Sequence, residues 1–345
     1  AINRARQLDE IHQASDGTPS DSIFGIPVLI KDNIGVKGMA TTAGAVALQE
    51  NYTDNAFIAE RLLEKGAIII GKANLSEWAY FFCNDCPSGY SAMGGQTLNP
   101  YGRFVFGSGG SSAGSGASTA ANYATVAVGS ETSGSILSPA SANSLVGLKP
   151  TTGSLSRTGV VPISASLDTT GPMARSVADV VVLFNSMAGY DQDDLAMPLI
   201  SDDLQLIYRE TSLADKRLGI IDRYADNAFY NNALSVLSAN NAELIDLSFN
   251  PSRQPQFTEF LGAEMVRDLA LYLNKNAADQ VEILSITELQ AFNNVEFEVR
   301  APYGQGLIDM MTELNYNEAE LEELRAELQA WGREILDRTF IESNL

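Results

Sequence analysis

Two lysines stand where a side chain would leave an apolar strand: Lys31 directly after "GIPVLI" (25–30) and Lys72 just beyond "AIII" (67–70). A lysine in that position works as a base if burial or neighbouring donors and cations hold it neutral, and is otherwise an ordinary snorkelling surface residue. A second chemical feature is the run "GSGGSSAGSG" (107–116), part of a segment, 107–135, holding seven Gly, eight Ser and three Thr. Such a composition alone suits a flexible linker. The apolar "ATVAV" (124–128) interrupts it, so the Gly/Ser segments read as two loops flanking a packed helix and strand.

Several chemistries are excluded. A phosphate-binding P-loop needs Gly-Lys-Ser/Thr, and no lysine lies between Lys72 and Lys149. The dinucleotide fingerprint fails because Gly107 and Gly109 are followed by Ser112 where the third glycine belongs. A Ser-His-Asp triad would have to use His12, the single histidine, which sits in a helix-like N-terminal segment. None of the seven lysines stands three residues after a serine, which removes the S-x-x-K arrangement. Cys83 and Cys86 in "CNDC" could be a redox pair or half a zinc site. Zinc wants four ligands, so the pair is read as carrying neither role, and no metal site is assigned. A metal-free route with a lysine base remains.

The elements that must position these residues alternate. Residues 1–12 read as the end of an amphipathic helix, and 25–30 as a buried strand closed by the turn formers Asp32 and Asn33, which delivers Lys31 at its exit. "TDNAFIAERLLEKG" carries an N-cap signal at Thr53 and a stop at Gly66, before the strand 67–70. A small-residue helix over 113–121, the strand 124–128 and a helix over 176–188 repeat the pattern. Composition shifts over 189–203. "RLGIID" (217–222) and "AELIDL" (242–247) then read as strands that continue the same sheet, and from 255 the chain is mainly helical, with the acidic stretch 316–338 its longest helix and a solvated one. Alternating helices and strands imply a layered α/β fold.

Four stretches in this order resemble the amidase signature family: "FGIPVLIKDNI" (24–34), "GGSSAGSGASTAA" (109–121), "GSETSGSILSPAS" (129–141) and the segment 147–179 from "GLKPTTGS" to "SVAD". "NLSEWA" (74–79), "GGQTLNPY" (94–101) and "ETSGSI" (131–136) place the likeness in the peptide-amidase branch. It is close over 20–190 and looser beyond. The resemblance implies an α/β/α layered amidase-signature fold, with a central mixed twisted sheet flanked by helices. It also implies one domain over 1–345, with a catalytic core over 1–190 and a covering region of strands and mainly helices over 191–345. Because family members continue past "RTFIESNL", it further implies that the C-terminal part is incomplete.

Carried over residue by residue, the family's Ser-cisSer-Lys triad falls on Ser135, Ser111 and Lys31. Ser135 would attack an amide carbonyl, Ser111 would relay its proton because a hydroxyl donates and accepts at once, and neutral Lys31 would be the ultimate base. The Gly110–Ser111 peptide would be cis, and the backbone N–H groups of Thr132, Ser133, Gly134 and Ser135 would form the oxyanion hole. The implied activity is hydrolysis of a carboxamide, best a peptide C-terminal amide, to an acid plus ammonia through an acyl-enzyme, with no cofactor. The alternatives are the glutaminase chain, of the A type, of a glutamyl-tRNA amidotransferase and a non-catalytic binding module on the same fold. Glu131 stands where the family usually has Asp, Ser133-Gly134 where it has Gly-Gly, and Leu137 where Arg is frequent; Glu131 and Leu137 favour the peptide-amidase branch. Asp168, Arg175 and the aromatics Trp78, Tyr80, Phe81 and Phe82 are read as structural.

Composition bounds the partners. With 345 residues, 45% of them hydrophobic, the chain can bury a sizeable core, and its net charge of −21 repels phosphate backbones and anionic membranes. It contains no basic patch and no apolar run near the ~20 residues of a membrane span. The expected partner is therefore a small-molecule or peptide amide, not nucleic acid or membrane, and the expected form a soluble monomer or simple homodimer in the cytoplasm or periplasm.

Overall fold

In the computed structural model, which describes residues 1–14, 22–197, 204–209, 211–247, 249, 254 and 256–345, helices and strands alternate as the patterning predicts. In chain order they are α1 (Ile2–Gln13), β1 (Pro27–Lys31), α2 (Phe57–Glu64), β2 (Ile68–Ala73), β3 (Tyr90–Ser91), β4 (Gly95–Gln96), α3 (Ala113–Ala120), β5 (Val126–Glu131), α4 (Leu137–Ala142), β6 (Val146–Gly147), β7 (Thr169–Ala174) and α5 (Val177–Met187). They are followed by β8 (Arg217–Ile221), α6 (Ala228–Ala239), β9 (Glu243–Leu247), α7 (Phe257–Lys275), α8 (Ile286–Val295), α9 (Phe297–Arg300), α10 (Gly306–Glu313) and α11 (Glu318–Ser343). The end of the compositional shift, 198–203, lies outside the described residues. Two compact units emerge, one of Ala1–Tyr208 with Leu261–Leu314 and one of Arg209–Phe260 with Asn315–Leu345. Residues 191–345, read from sequence as one covering region, are divided between them.

The first unit is built on a mixed sheet of order β2-β1-β5-β7-β6. β1 runs parallel to β2 and β5, while β7 is antiparallel to β5 and β6. One face is aliphatic: Val28 and Ile30 of β1 and Val126 and Val128 of β5 pack with Ile58 and Leu62 of α2 and Leu183, Phe184 and Met187 of α5. Burying each such side chain contributes about 1.5–3 kcal/mol. Side chains alternate across a strand, so Ala174 of β7 joins that core while Met173 turns to the other face, against Ile136 and Ala140. α3 covers that other face, and it can lie close because its residues are small. Ser115 Oγ donates to the Val128 carbonyl at 3.0 Å. A Cβ on Gly114 would stand 2.4 Å from the Asn74 carbonyl oxygen, so the glycine-serine run is close-packed structure and not a linker.

α2 starts later than its Thr53 signal predicts. Ala56 occupies the cap position, and the amides of Ala56 and Phe57 donate to Gly35 O at 2.9 Å and Thr158 O at 3.2 Å. Carbonyls from distant loops have taken over the role of a side-chain cap. α5 behaves as expected, with Ser176 accepting from the Asp179 amide. Cys83 and Cys86, read from sequence as having no redox role, are joined as a disulfide, their turn bringing the Cα atoms to 5.6 Å, within bridging range.

In the second unit β8 and β9 do not continue the large sheet. They form a separate two-stranded parallel sheet, with α6 as the crossover that parallel strands require. Their burial pattern shows why: β5 and β7 are buried at every position, whereas β8 and β9 have no fully buried residue. An Arg217–Glu243 ion pair of 2.6 Å crosses the register pair that opens this small sheet.

Candidate active site

β1 runs between β2 and β5 and ends on Lys31, so the lysine emerges from the middle of the sheet. Lys31 is 0% exposed. Its Nζ lies 2.7 Å from Ser111 Oγ, 2.9 Å from Ser130 Oγ and 3.0 Å from Ser130 O. Burial lowers the amine to about 7, while the nearby charges of Asp168 and Glu131 act in the opposite direction. An amine so placed has a large neutral fraction near pH 7.

Ser111 sits at the turn entering α3, and the Gly110–Ser111 peptide is cis. Gly109 takes φ +66°, and a Cβ there would stand 2.7 Å from Pro139 Cα, so no other residue fits that approach. The Ser111 carbonyl accepts from the amides of Ser76, at 3.0 Å, and Ala113, at 2.8 Å. Ser76 leads into Trp78, Ala79 and Tyr80, three successive non-glycine residues with positive φ, a costly backbone that persists only where its surroundings enforce it. Trp78, Phe81 and Phe82 are buried as structural aromatics, and Tyr80 is 42% exposed.

Ser135 lies on the turn between β5 and α4. Its carbonyl accepts from the Ser112 amide at 3.0 Å, which ties the two serine loops together, and among the described residues its hydroxyl has no hydrogen-bond partner. Glu131 organises this turn: its carboxylate accepts from the amides of Gly134 at 2.8 Å, Ile136 at 2.7 Å and Leu137 at 3.0 Å. The Gly134 N–H is therefore engaged inside the turn and does not join the expected oxyanion donors, which leaves those of Thr132, Ser133 and Ser135. Thr132 Oγ1 donates to Asp168, whose other oxygen accepts from the Ile163 amide at 2.8 Å and the Ser164 amide at 2.9 Å. Enclosure pushes the Asp168 carboxyl up to about 6 against these bonds and the pull of Arg157.

Lys31 and Ser111 are thus in direct contact, and Ser135 is joined to them through the Ser111–Ser112 loop. Lys72, the other candidate base, is not brought to the serines. It pairs with Asp32 at 2.9 Å and donates to Ala40 O and Thr41 Oγ1, holding the loop after β1. His12 is on α1, and Arg175 bonds the Thr119 carbonyl near the end of α3. Among the described residues no three His, Cys, Asp or Glu side chains converge to hold a metal. Sequence reasoning missed Ser130, which contacts Lys31 twice and accepts from Asn33 Nδ2 at 2.9 Å. A parallel register with Ile30 opposite Val128 puts Gly129 level with Lys31 and Ser130 one residue beyond, within reach of the lysine side chain, but the pairing partner of β1 is not written in its own residues.

A family model described as Amidase matches residues 1–337. The chain belongs to the amidase family. A probable amidase of Arabidopsis thaliana is 43% identical over 232 residues, 65% of this chain and 45% of that protein. The A-type chain of the glutamyl-tRNA(Gln) amidotransferase of Thermoanaerobacter pseudethanolicus is 35% identical over 283 residues, 79% of this chain and 56% of that protein. The crystal structure of native peptide amidase from Stenotrophomonas maltophilia superposes with a TM-score of 0.87 at 35% identity, covering all of this chain and 72% of the other. The chain thus spans about half the length of these two curated relatives. The mixed sheet flanked by helices is the amidase-signature fold, and no helix among the described residues is long and apolar enough to cross a membrane.

Proposed function

We propose that this protein hydrolyses a carboxamide to a carboxylic acid and ammonia through an acyl-enzyme on Ser135. The observation that carries the reading is the buried amine of Lys31 at 2.7 Å from Ser111 Oγ. Ser135 Oγ bonds to the amide carbon as its proton passes to Ser111 Oγ, and the Ser111 proton passes to the Lys31 lone pair. The oxyanion that forms is stabilised by the amides of Thr132, Ser133 and Ser135, where one donor is worth roughly 3 kcal/mol. On collapse the C–N bond breaks, and the proton held by Lys31 returns through Ser111 to the leaving nitrogen, which departs as ammonia. Water then attacks the acyl carbon over the same relay and restores Ser135.

A peptide C-terminal amide is the favoured substrate, supported by the likeness over the whole chain to a solved peptide amidase. A second reading, glutamine hydrolysis, is favoured by the relative named as a glutamyl-tRNA(Gln) amidotransferase chain. The deciding experiment measures ammonia release from C-terminally amidated dipeptides, glutamine and aryl amides. Ser135→Ala and Lys31→Ala should each abolish release; activity kept in either overturns the mechanism. A fluorophosphonate probe should label Ser135, whereas a folded, unlabelled protein would favour the binding-module reading.

A further inference from the structure

The relay just described leaves two groups unused, the Thr132 hydroxyl and the Asp168 carboxyl. Glu131 of β5 stands opposite Thr169 of β7, so Thr132 and Asp168 occupy the next rung, where the ladder ends. Their side chains extend it, Thr132 Oγ1 donating to Asp168. Behind Asp168 the loop 163–166 is clamped by α7. Ser164 Oγ donates to Glu264, Ser166 Oγ donates to Glu264 at 2.7 Å, and the Ala165 amide donates to Asp268 at 2.6 Å. Arg267 bridges the two acids, at 3.1 Å from Glu264 and 2.7 Å from Asp268.

Holding a loop by buried carboxylates is an expensive way to gain stability, since apolar packing of similar volume does as well or better. Hydrogen bonds, however, fix direction as apolar packing does not. The nucleophile turn needs direction on two sides. Glu131 holds Gly134, Ile136 and Leu137, while among the described residues the half containing Thr132 and Ser133 has one side-chain anchor, the bond to Asp168.

We propose that Asp168 is a positioning residue for the reaction: through the Thr132 hydroxyl it orients the Thr132 and Ser133 amides toward the developing oxyanion, with α7 holding its loop. This rests on the assignment of Ser135 as nucleophile. Such an anchor matters in the transition state and little in substrate binding, because the charge on the oxygen appears only as the carbonyl is attacked.

The test uses the full chain and the amide that releases most ammonia in the screen above. Thr132→Val removes the hydroxyl at nearly constant shape, and should lower kcat at least ~tenfold with KM within about twofold. Thr132→Ser restores the hydroxyl and should return kcat to within about threefold of the parent. An unchanged kcat in Thr132→Val, with only the melting temperature lowered, overturns the proposal; so does failure of Thr132→Ser to recover. Should Thr132→Val not fold, Asp168→Asn decides: it keeps side-chain volume but offers one acceptor to three donors, so kcat must fall at unchanged KM. Ser135→Ala is run in parallel, and ammonia release surviving in it refutes the nucleophile assignment itself, a result distinct from any of these.

Discussion

The pH profile of the reaction follows from where Lys31 sits. A lysine at its ordinary 10.5 is only ~0.03% neutral at pH 7, whereas at about 7 roughly half of the molecules carry the free amine. Burial thus raises the population of free amine by about 10³ at neutral pH. The dependence of kcat/KM reports the free enzyme, so kcat/KM for the preferred amide should be level above about pH 8 and fall close to tenfold for each unit below about 6. Ammonia release at substrate well below KM, from pH 5 to 10 at constant ionic strength, measures it. Ionic strength is held because the Coulomb fields of Asp168 and Glu131 both raise the amine against the effect of burial. Two outcomes refute the reasoning: a kcat/KM that still climbs tenfold per unit at pH 9, as an unshifted lysine requires, or one that stays level down to pH 5. Lys31→Arg is the control, since guanidinium stays protonated throughout and the variant should be inactive at every pH and not merely shifted.

Four further outcomes follow from the same geometry. Because the folded pKa of Lys31 is depressed, its contribution to stability is present above about 10.5 and lost as pH falls to about 7; Lys31→Met should flatten that part of the curve of melting temperature against pH. Glu77 has the opposite sign: burial pushes its carboxyl up to about 8 from 4.5, so its contribution is present below 4.5 and lost as pH rises through about 8. Glu77→Gln, whose carbonyl can still accept from the Ala92 amide, should be more stable than the parent by roughly 1–3 kcal/mol at pH 9 and near parity at pH 4.5, read by thermal melts. Gly114→Ala drives a methyl into the Asn74 backbone at 2.4–2.5 Å and should cost about 1–3 kcal/mol in urea unfolding. Glu131→Gln removes the carboxylate from all three turn amides and keeps an acceptor oxygen for one side of the turn only, so it should slow fluorophosphonate labelling of Ser135 at least ~tenfold.

What was legible in the residues was whatever depends on a short window. Apolar alternation and small-residue content give β1, α3, β5 and α5 within a few residues, because each element buries a face its own pattern defines. Lys31 at a strand exit is readable for the same reason. The Thr53 cap failed because two distant carbonyls, Gly35 and Thr158, reach the amides of Ala56 and Phe57 first, and no local signal reports a competitor that far along the chain. The continued sheet failed similarly: β8 and β9 satisfy strand propensity, but which strand they pair with depends on how completely each is buried. The contacts that Lys31 makes with Ser111 and Ser130 cross separations of 80 and 99 residues, and only the family likeness carried the first of them into the sequence reading.

That likeness supplies roles, while the electrostatics come from the packing. Lys31 is held near neutrality mainly by enclosure among β1, β5 and the serine loop, and the two acids nearest in effect, Asp168 and Glu131, work against it. Their retention needs its own reason, and the hydrogen bonds provide one: Glu131 ties three amides of the turn that carries Ser135, and Asp168 ties Thr132 and the loop before β7. Each carboxylate spends part of its field on backbone N–H donors, which weakens what reaches the amine. A fixed Ser135 turn and a Lys31 amine lowered to about 7 are therefore compatible because both acids are engaged by donors of the turn and its flanking loop, while the amine faces the Ser111 and Ser130 oxygens. A substitution that freed either acid from its amides would raise the lysine toward its ordinary value and loosen the turn at once, so activity should fall faster than the loss of either feature alone would give.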